Sequence, residues 1–229
     1  MMREAALLLV CGAFIAATPS QAQSTTGTRI GPEPASIGSL DQIAARRVVR
    51  AFGACVVQSE SVLARRLAVM SANDPAHISL LRQLADYECL ANGELRIPLH
   101  LMRGAVFEGL VTVYYRNFRP TDLSASPDLD YRAIHSGEVT AFGGQVLSLV
   151  TVADCVFRHA PVESRAVLDA IPGSNAEQRN FEVITPHLSS CIDSGQTVSF
   201  TRSVLRYALA EVVYRHAVRA AADAPQGTP

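Results

Sequence analysis

The feature that most limits what this chain can fold into is a pattern used twice, about 100 residues apart. Phe52-Gly53-Ala54-Cys55-Val56-Val57 lies over Val152-Ala153-Asp154-Cys155-Val156-Phe157. The register then holds through Val62 over Val162 and Arg65 over Arg165. After a two-residue insertion Cys89 falls on Cys191 and Gly93 on Gly195. After one more, Arg103 falls on Arg206, Ala105 on Ala208 and Glu108 on Glu211. Two cysteines, two arginines, a glutamate and the phase of the apolar residues recur in order. That order implies one helical unit duplicated in tandem.

The apolar spacing inside each copy is helical. Ala45, Val48, Val49, Phe52, Cys55 and Val56 recur at i, i+3, i+4 and i+7, so the spacing predicts that they form the inward stripe of a first helix. Ser39, with Gln42 three residues on, resembles a capping box ahead of it. A second helix is expected from about residue 60 to 70. Asn73-Asp74-Pro75 starts a third, with Asp74 as cap and proline in the first turn, Cys89 near its end and Asn92-Gly93 as the stop. The fourth presents Leu101, Met102, Ala105, Val106, Gly109, Leu110 and Val113, and its counterpart Val204, Leu205, Ala208, Leu209, Val212 and Val213. In the second copy Ile171-Pro172-Gly173-Ser174 leads into a helix over 175–191. The expected fold is all-α. Two tandem repeats of about four helices, over 39–116 and 138–219, form one two-lobed domain with a pseudo-twofold axis. Residues 117–137, rich in Pro, Ser and Asp, read as a linker. Residues 23–38 and 220–229 are expected to be disordered.

The N-terminus points to export. Arg3 precedes an apolar run from Ala5 to Ala17, and Ser20-Gln21-Ala22 places small residues where a signal peptidase cuts. Residues 1–22 therefore read as a signal peptide cleaved after Ala22. Lipidation at Cys11 is the weaker alternative, because Val10 is a poor residue to precede a lipidated cysteine. No later stretch combines spanning length with freedom from charge, so no transmembrane span is expected. The expected localisation is periplasmic or secreted. All 20 basic residues are arginine, a bias that fits a GC-rich genome. A net charge of −1 gives no drive toward nucleic acid.

Beyond Cys11 four cysteines remain: Cys55, Cys89, Cys155 and Cys191. An even number in an oxidising compartment reads as disulfides. Three pairings are possible and exchange of the two copies preserves all of them, so locality decides. Cys55 with Cys89 and Cys155 with Cys191 would staple the first helix to the third within each copy.

Candidate chemistry is sparse. Cys155 and His159, and His187 and Cys191, are each four apart, so two adjacent helices could bring together a tetrahedral Cys2His2 metal set. The first copy has Ser59 and Ala85 where the imidazoles would be, so a disulfide accounts for both copies and a metal for only one. The repeated Arg65/Arg165, Arg103/Arg206 and Glu108/Glu211 are expected as structural polar pairs, with each arginine tying neighbouring helices together. Arg103 and Glu108 are five apart and do not face each other on one helix. Tyr114, Tyr115, Arg116 and Phe118 form an aromatic and basic cluster expected to cover the end of the fourth helix and anchor the loop after it, with a partner surface as the alternative. No catalytic residue and no cofactor are expected: the chain has no Gly-x-Ser-x-Gly, His-Glu-x-x-His, dinucleotide fingerprint or P-loop.

The pattern resembles that of secreted proteins of GC-rich Gram-negative bacteria with a signal peptide, twin cysteine-bearing helical units and an Arg-x-x-x-x-Glu pair in the last helix. The resemblance covers residues 40–216. It implies fold and compartment and carries no site residue across. The function expected is that of a non-enzymatic binding or interaction module in the cell envelope, with a protein or small molecule as partner. The alternative is a metal-binding protein or enzyme using the Cys/His set of the second copy.

Overall fold

A computed structural model describes residues 29–31, 39–85, 89, 97–123, 126–192 and 199–223. The chain is predominantly helical. The described residues form α1 (Ser39–Ser59), α2 (Ser61–Val69), α3 (Ala76–Ala85), α4 (Leu99–Tyr114), α5 (Tyr131–Ile134), α6 (Ala141–His159), α7 (Pro161–Asp169), α8 (Asn175–Leu188) and α9 (Arg202–Asp223). A 3-10 turn, Ser189–Cys191, extends α8. Two three-residue strands, β1 (Arg29–Gly31) and β2 (Ser199–Thr201), pair in parallel. This puts three residues of the segment expected to be disordered into a strand.

Helices α4 and α9 are the centre. Every residue from Met102 to Val111 and from Leu205 to Tyr214 is buried, the charged Arg103, Glu108, Arg206 and Glu211 among them. Helix α1 packs along α4, α4 along α9, and α9 along α6; α7 and α8 pack on one another. Glycine permits the closest approaches. A Cβ on Gly53 would lie 2.1 Å from the Ala105 carbonyl oxygen, and one on Gly109 would lie 2.3 Å from that of Gly53. Backbone thus meets backbone where α1 crosses α4.

Local chemistry sets the helix starts. Asp74 accepts the Ala76 N–H at 2.8 Å ahead of α3, Thr140 caps α6 through Gly143 N–H, and Ser174 caps α8 through Glu177 N–H. The Ser39 side chain of the Ser39–Gln42 box and the Asn92–Gly93 stop lie outside the described residues. The linker carries structure of its own. Asp130 caps the single-turn α5, and Tyr131 and His135 reach the core. Asn73 holds this segment in place, donating to the His135 carbonyl at 2.6 Å and accepting from Thr140 N–H at 3.0 Å.

The stripe expected for α1 is partly out of phase. Val49, Phe52 and Val56 are buried, but Val48 is 47% exposed and Ala45 is exposed as well. The inward positions are instead filled by Arg46 and Arg50, which reach buried carboxylates. An apolar count treats arginine as outward-facing and cannot foresee a buried acid that draws it in.

The four described cysteines form two bridges, Cys55–Cys89 and Cys155–Cys191, each with Cα atoms 5.7 Å apart. They tie α1 to the turn beyond α3, and α6 to the turn ending α8. By length and mean hydropathy α6 alone among the described helices could cross a bilayer. It packs along α9 and buries Asp154 against His216.

Candidate functional site

The largest fully buried side chains are Arg103 and Arg206. Arg103 on α4 donates from Nε and Nη2 to the two carboxylate oxygens of Glu211 on α9, at 2.8 and 2.7 Å. Arg206 on α9 donates from Nε and Nη2 to those of Glu108 on α4, at 3.1 and 2.6 Å. Each arginine is therefore forked onto the glutamate of the other helix. Two-point geometry of this kind is the strong form of an arginine–carboxylate bond. Neither fork lies within one helix, where a spacing of five keeps Arg103 and Glu108 from facing each other.

The third donor of each arginine follows the same scheme. Arg103 Nη1 donates to His77 Nε2 at 2.9 Å, and Arg206 Nη1 donates to Glu177 Oε1 at 2.8 Å. His77 and Glu177 are 100 positions apart, the same spacing as Cys55 and Cys155, and each lies at the start of the helix after the capping residue. The motif search missed both. Carrying the Cys55-over-Cys155 register through to the third helix would have paired them.

The surroundings of the two forks then diverge. Around Arg206 the carboxylates outnumber those on the other side. Glu108 also faces Arg50 at 3.2 Å, and Glu177 also takes Arg46 at 2.5 Å and the Gly173 N–H at 2.8 Å. Burial works against the charge of Arg206, but Glu108 and then Glu177 outweigh it and raise its pKa. Around Arg103 the extra groups are Arg215, donating to Glu211 Oε1 at 3.0 and 2.5 Å, and His135, whose Nε2 lies 3.3 Å from the same oxygen. Burial alone would push the Glu211 carboxyl up. Arg103 and Arg215 overcome it and hold the group well below the usual carboxylate range. His77 is lowered to about 3, first by burial and then by Arg103, so its ring is neutral and accepts the guanidinium proton. His135 is lowered by burial too, and its Nδ1 accepts the Ala72 N–H at 3.3 Å.

Beside the Arg103 fork a small crevice opens between α4, α6 and α9, lined by His100, Arg103, Val146, Val150, Tyr207 and Glu211. Val146 and Val150 are in register with Arg46 and Arg50. On α1 those positions carry cations that fill the space; on α6 they carry short apolar side chains that leave it open. A second buried polar group lies nearby, where Asp154 takes His216 Nε2 at 2.7 Å and the Tyr131 hydroxyl at 3.1 Å. Burial, then the Asp154 charge, raises the Tyr131 pKa well above its ordinary value.

The remaining expected residues fall as follows. Arg65 is exposed over the ring of Tyr114, 5.3 Å from its centre. Arg165, 100 positions on, is buried, bonds Asp169 at 2.6 Å and leaves Nε without a hydrogen bond. The pair is thus not equivalent in role. Tyr114 is 44% exposed, Arg116 is exposed, and Tyr115 and Phe118 turn back onto the core, Tyr115 edge-on to Tyr214. The cluster is split between surface and interior. Cys155 and Cys191 are bonded to each other, and the rings of His159 and His187 stack 5.4 Å apart beside them.

No family model matches the chain, and no curated protein or solved structure matches it either.

Proposed function

We propose that this chain is an exported helical scaffold that acts by binding rather than by catalysis, built from one four-helix unit used twice about a pseudo-twofold axis. The observation that carries the reading is the pair of crossed forks, Arg103 to Glu211 and Arg206 to Glu108. One Arg-x-x-x-x-Glu pattern used on two helices satisfies both, as a twofold arrangement requires. These forks commit the most deeply buried charges to holding α4 and α9 together. Structural ion-pair networks of this kind also shift pKa values, so the shifts at Arg206 and Glu211 call for no catalytic role. Export is supported by the N-terminal pattern of residues 1–22 and by two bridges suited to an oxidising compartment. The exposed Tyr114, Arg65 and Arg116 are the contact surface this reading favours, with an envelope protein or small molecule as partner.

The test is mass spectrometry of the protein recovered from the envelope of an expressing bacterium. Expected are an N-terminus at Gln23, a mass four hydrogens below the reduced chain, and linked peptides for Cys55–Cys89 and Cys155–Cys191. Retention of residues 1–22, or free thiols, sinks the export reading. A photo-crosslinker in place of Tyr114 gives one discrete heavier adduct in cells if the chain binds there. A ladder equal to that of a crosslinker placed at Val183 removes the binding surface.

A further inference from the structure

The two bridges are not chemically alike. Next to Cys155–Cys191 stand two imidazoles, while the Cys55–Cys89 bridge has a hydroxyl and a methyl at the same register. His159 follows Cys155 by four residues on α6, and its Nδ1 lies 2.8 Å from the Cys155 carbonyl oxygen and 3.9 Å from Cys155 Sγ. On α1 the Ser59 hydroxyl takes the corresponding place, donating to the Cys55 carbonyl at 2.9 Å and lying 3.7 Å from Cys89 Sγ. His187 precedes Cys191 by four residues and stacks on His159. One donor atom from each of Cys155, His159 and Cys191 falls within 4.8 Å of the others. Neighbouring donors around a tetrahedral zinc lie roughly 3.6 Å apart, given Zn–S and Zn–N bonds of about 2.3 and 2.0 Å. The three are thus close to a zinc geometry once the S–S bond no longer holds the sulfurs together.

We propose that the Cys155–Cys191 bridge masks a reducible zinc site, in which the two freed thiolates, His159 and His187 hold one Zn2+ tetrahedrally. The site goes beyond the scaffold reading, which stands or falls separately. A dithiol reductant of the thioredoxin class passes two electrons and two protons to the S–S bond. It leaves as a disulfide, and Cys155 and Cys191 become thiols. Zn2+ then displaces two protons to solvent as two Zn–S bonds form. Both cysteines are half-buried and His159 is exposed, so reductant and metal have access. His159 Nδ1, 3.9 Å from Cys155 Sγ, is the nitrogen placed to ligate, and metal binding exchanges its bond to the Cys155 carbonyl for one to zinc. Two thiolates with two imidazoles suit zinc over harder ions such as magnesium.

The first copy is an internal control. The experiment uses the full chain with Cys11→Ser, reduced anaerobically and titrated with Co2+ as the visible stand-in for Zn2+. Expected is one Co2+ per chain with tetrahedral d–d bands and a thiolate charge-transfer band, and none in the unreduced protein. Cys55→Ser with Cys89→Ser leaves the spectrum intact. His159→Ala with His187→Ala weakens binding by ~10-fold or more, in keeping with loss of two of four ligands. An absent tetrahedral spectrum, unchanged binding without the imidazoles, or loss of the site in the Cys55/Cys89 variant with its helical circular dichroism retained overturns the proposal. A second measurement does not depend on the fully reduced chain staying folded. In a glutathione redox buffer, Zn2+ raises the reduced fraction at Cys155–Cys191 and leaves Cys55–Cys89 unmoved. Equal shifts at both bridges, or none, count against it.

Discussion

Arg103 and Glu211 lie 108 residues apart in the chain and bond through both arms of the guanidinium inside the protein, where neither side chain is more than 3% exposed. Their cost and benefit are unequal, because each has different company. Glu211 serves two arginines, Arg103 and Arg215, whereas the other hydrogen-bond partner of Arg103 is the neutral His77.

Removing one member of a buried pair strands the other charge and costs about 3–5 kcal/mol. Glu211→Leu is expected at the top of that range or above, since it strands Arg103 beside Arg215. Arg103→Met is expected nearer the bottom, since Arg215 still neutralises Glu211. The double variant is expected to be more stable than the sum of the singles by roughly 1–3 kcal/mol. Urea unfolding of the four proteins checks the order, and strict additivity would refute the coupling.

Stability should fall in acid. His77 titrates near 6.5 when unfolded and at about 3 when folded. Between those values the unfolded chain holds a proton that the folded chain lacks. Lowering the pH through this window therefore weakens the fold, by up to about 1.4 kcal/mol per pH unit for this one ring. Glu211 acts with the same sign. Its contribution is complete above the ordinary carboxylate value and is lost as the pH falls toward its depressed folded value. His77→Gln keeps an acceptor for Arg103 and removes the titration. Its unfolding midpoint should depend less on pH between about 6.5 and 4.5 than that of the parent, and identical slopes would exclude His77 as a source.

Glycine positions separate by what surrounds them. Alanine improves a helix by about 1 kcal/mol over glycine when nothing is in the way. At Gly144 the nearest atom to an added Cβ is Val139 Cγ1 at 3.4 Å, so Gly144→Ala should be neutral to mildly stabilising. At Gly53 the added methyl meets the Ala105 backbone at 2.1 Å. Since backbone cannot rotate away as a side chain can, Gly53→Ala should cost ~3 kcal/mol or more despite the propensity gain. Thermal unfolding of the two variants should shift in opposite directions or by very different amounts.

Each bridge closes a loop, the partners being 34 and 36 positions apart in the sequence. On the chain-entropy estimate either contributes roughly 3.8 kcal/mol. Cys55→Ser with Cys89→Ser, and the corresponding pair at Cys155 and Cys191, should lose comparable stability at neutral pH without added metal. A loss confined to one pair would show that the other bridge is not formed in solution.

Much of the helical order was legible because it rests on punctuation and period. Asp74 and Ser174 sit at helix starts, and the buried runs of α4 and α9 follow the apolar positions in their sequences. What escaped was polar and long-range. Arg46 and Arg50 looked like solvent-facing residues of α1, and only Glu108 and Glu177 on distant helices explain their inward turn. His135 lay in a segment read as linker, and its burial depends on Asn73 holding that segment against the α2–α3 corner. The crossed forks were half visible: the spacing of five ruled out a bond within one helix, but nothing local named the helix across the way.

That crossing also governs how the interior can breathe. Moving α4 away from α9 breaks both forks together and bares four charges at once, so a partial opening at one end has no stable resting point. Amide exchange along the buried stretches of α4 and α9 is therefore set by a single shared event, and the slowest protons on the two helices should leave at one common rate.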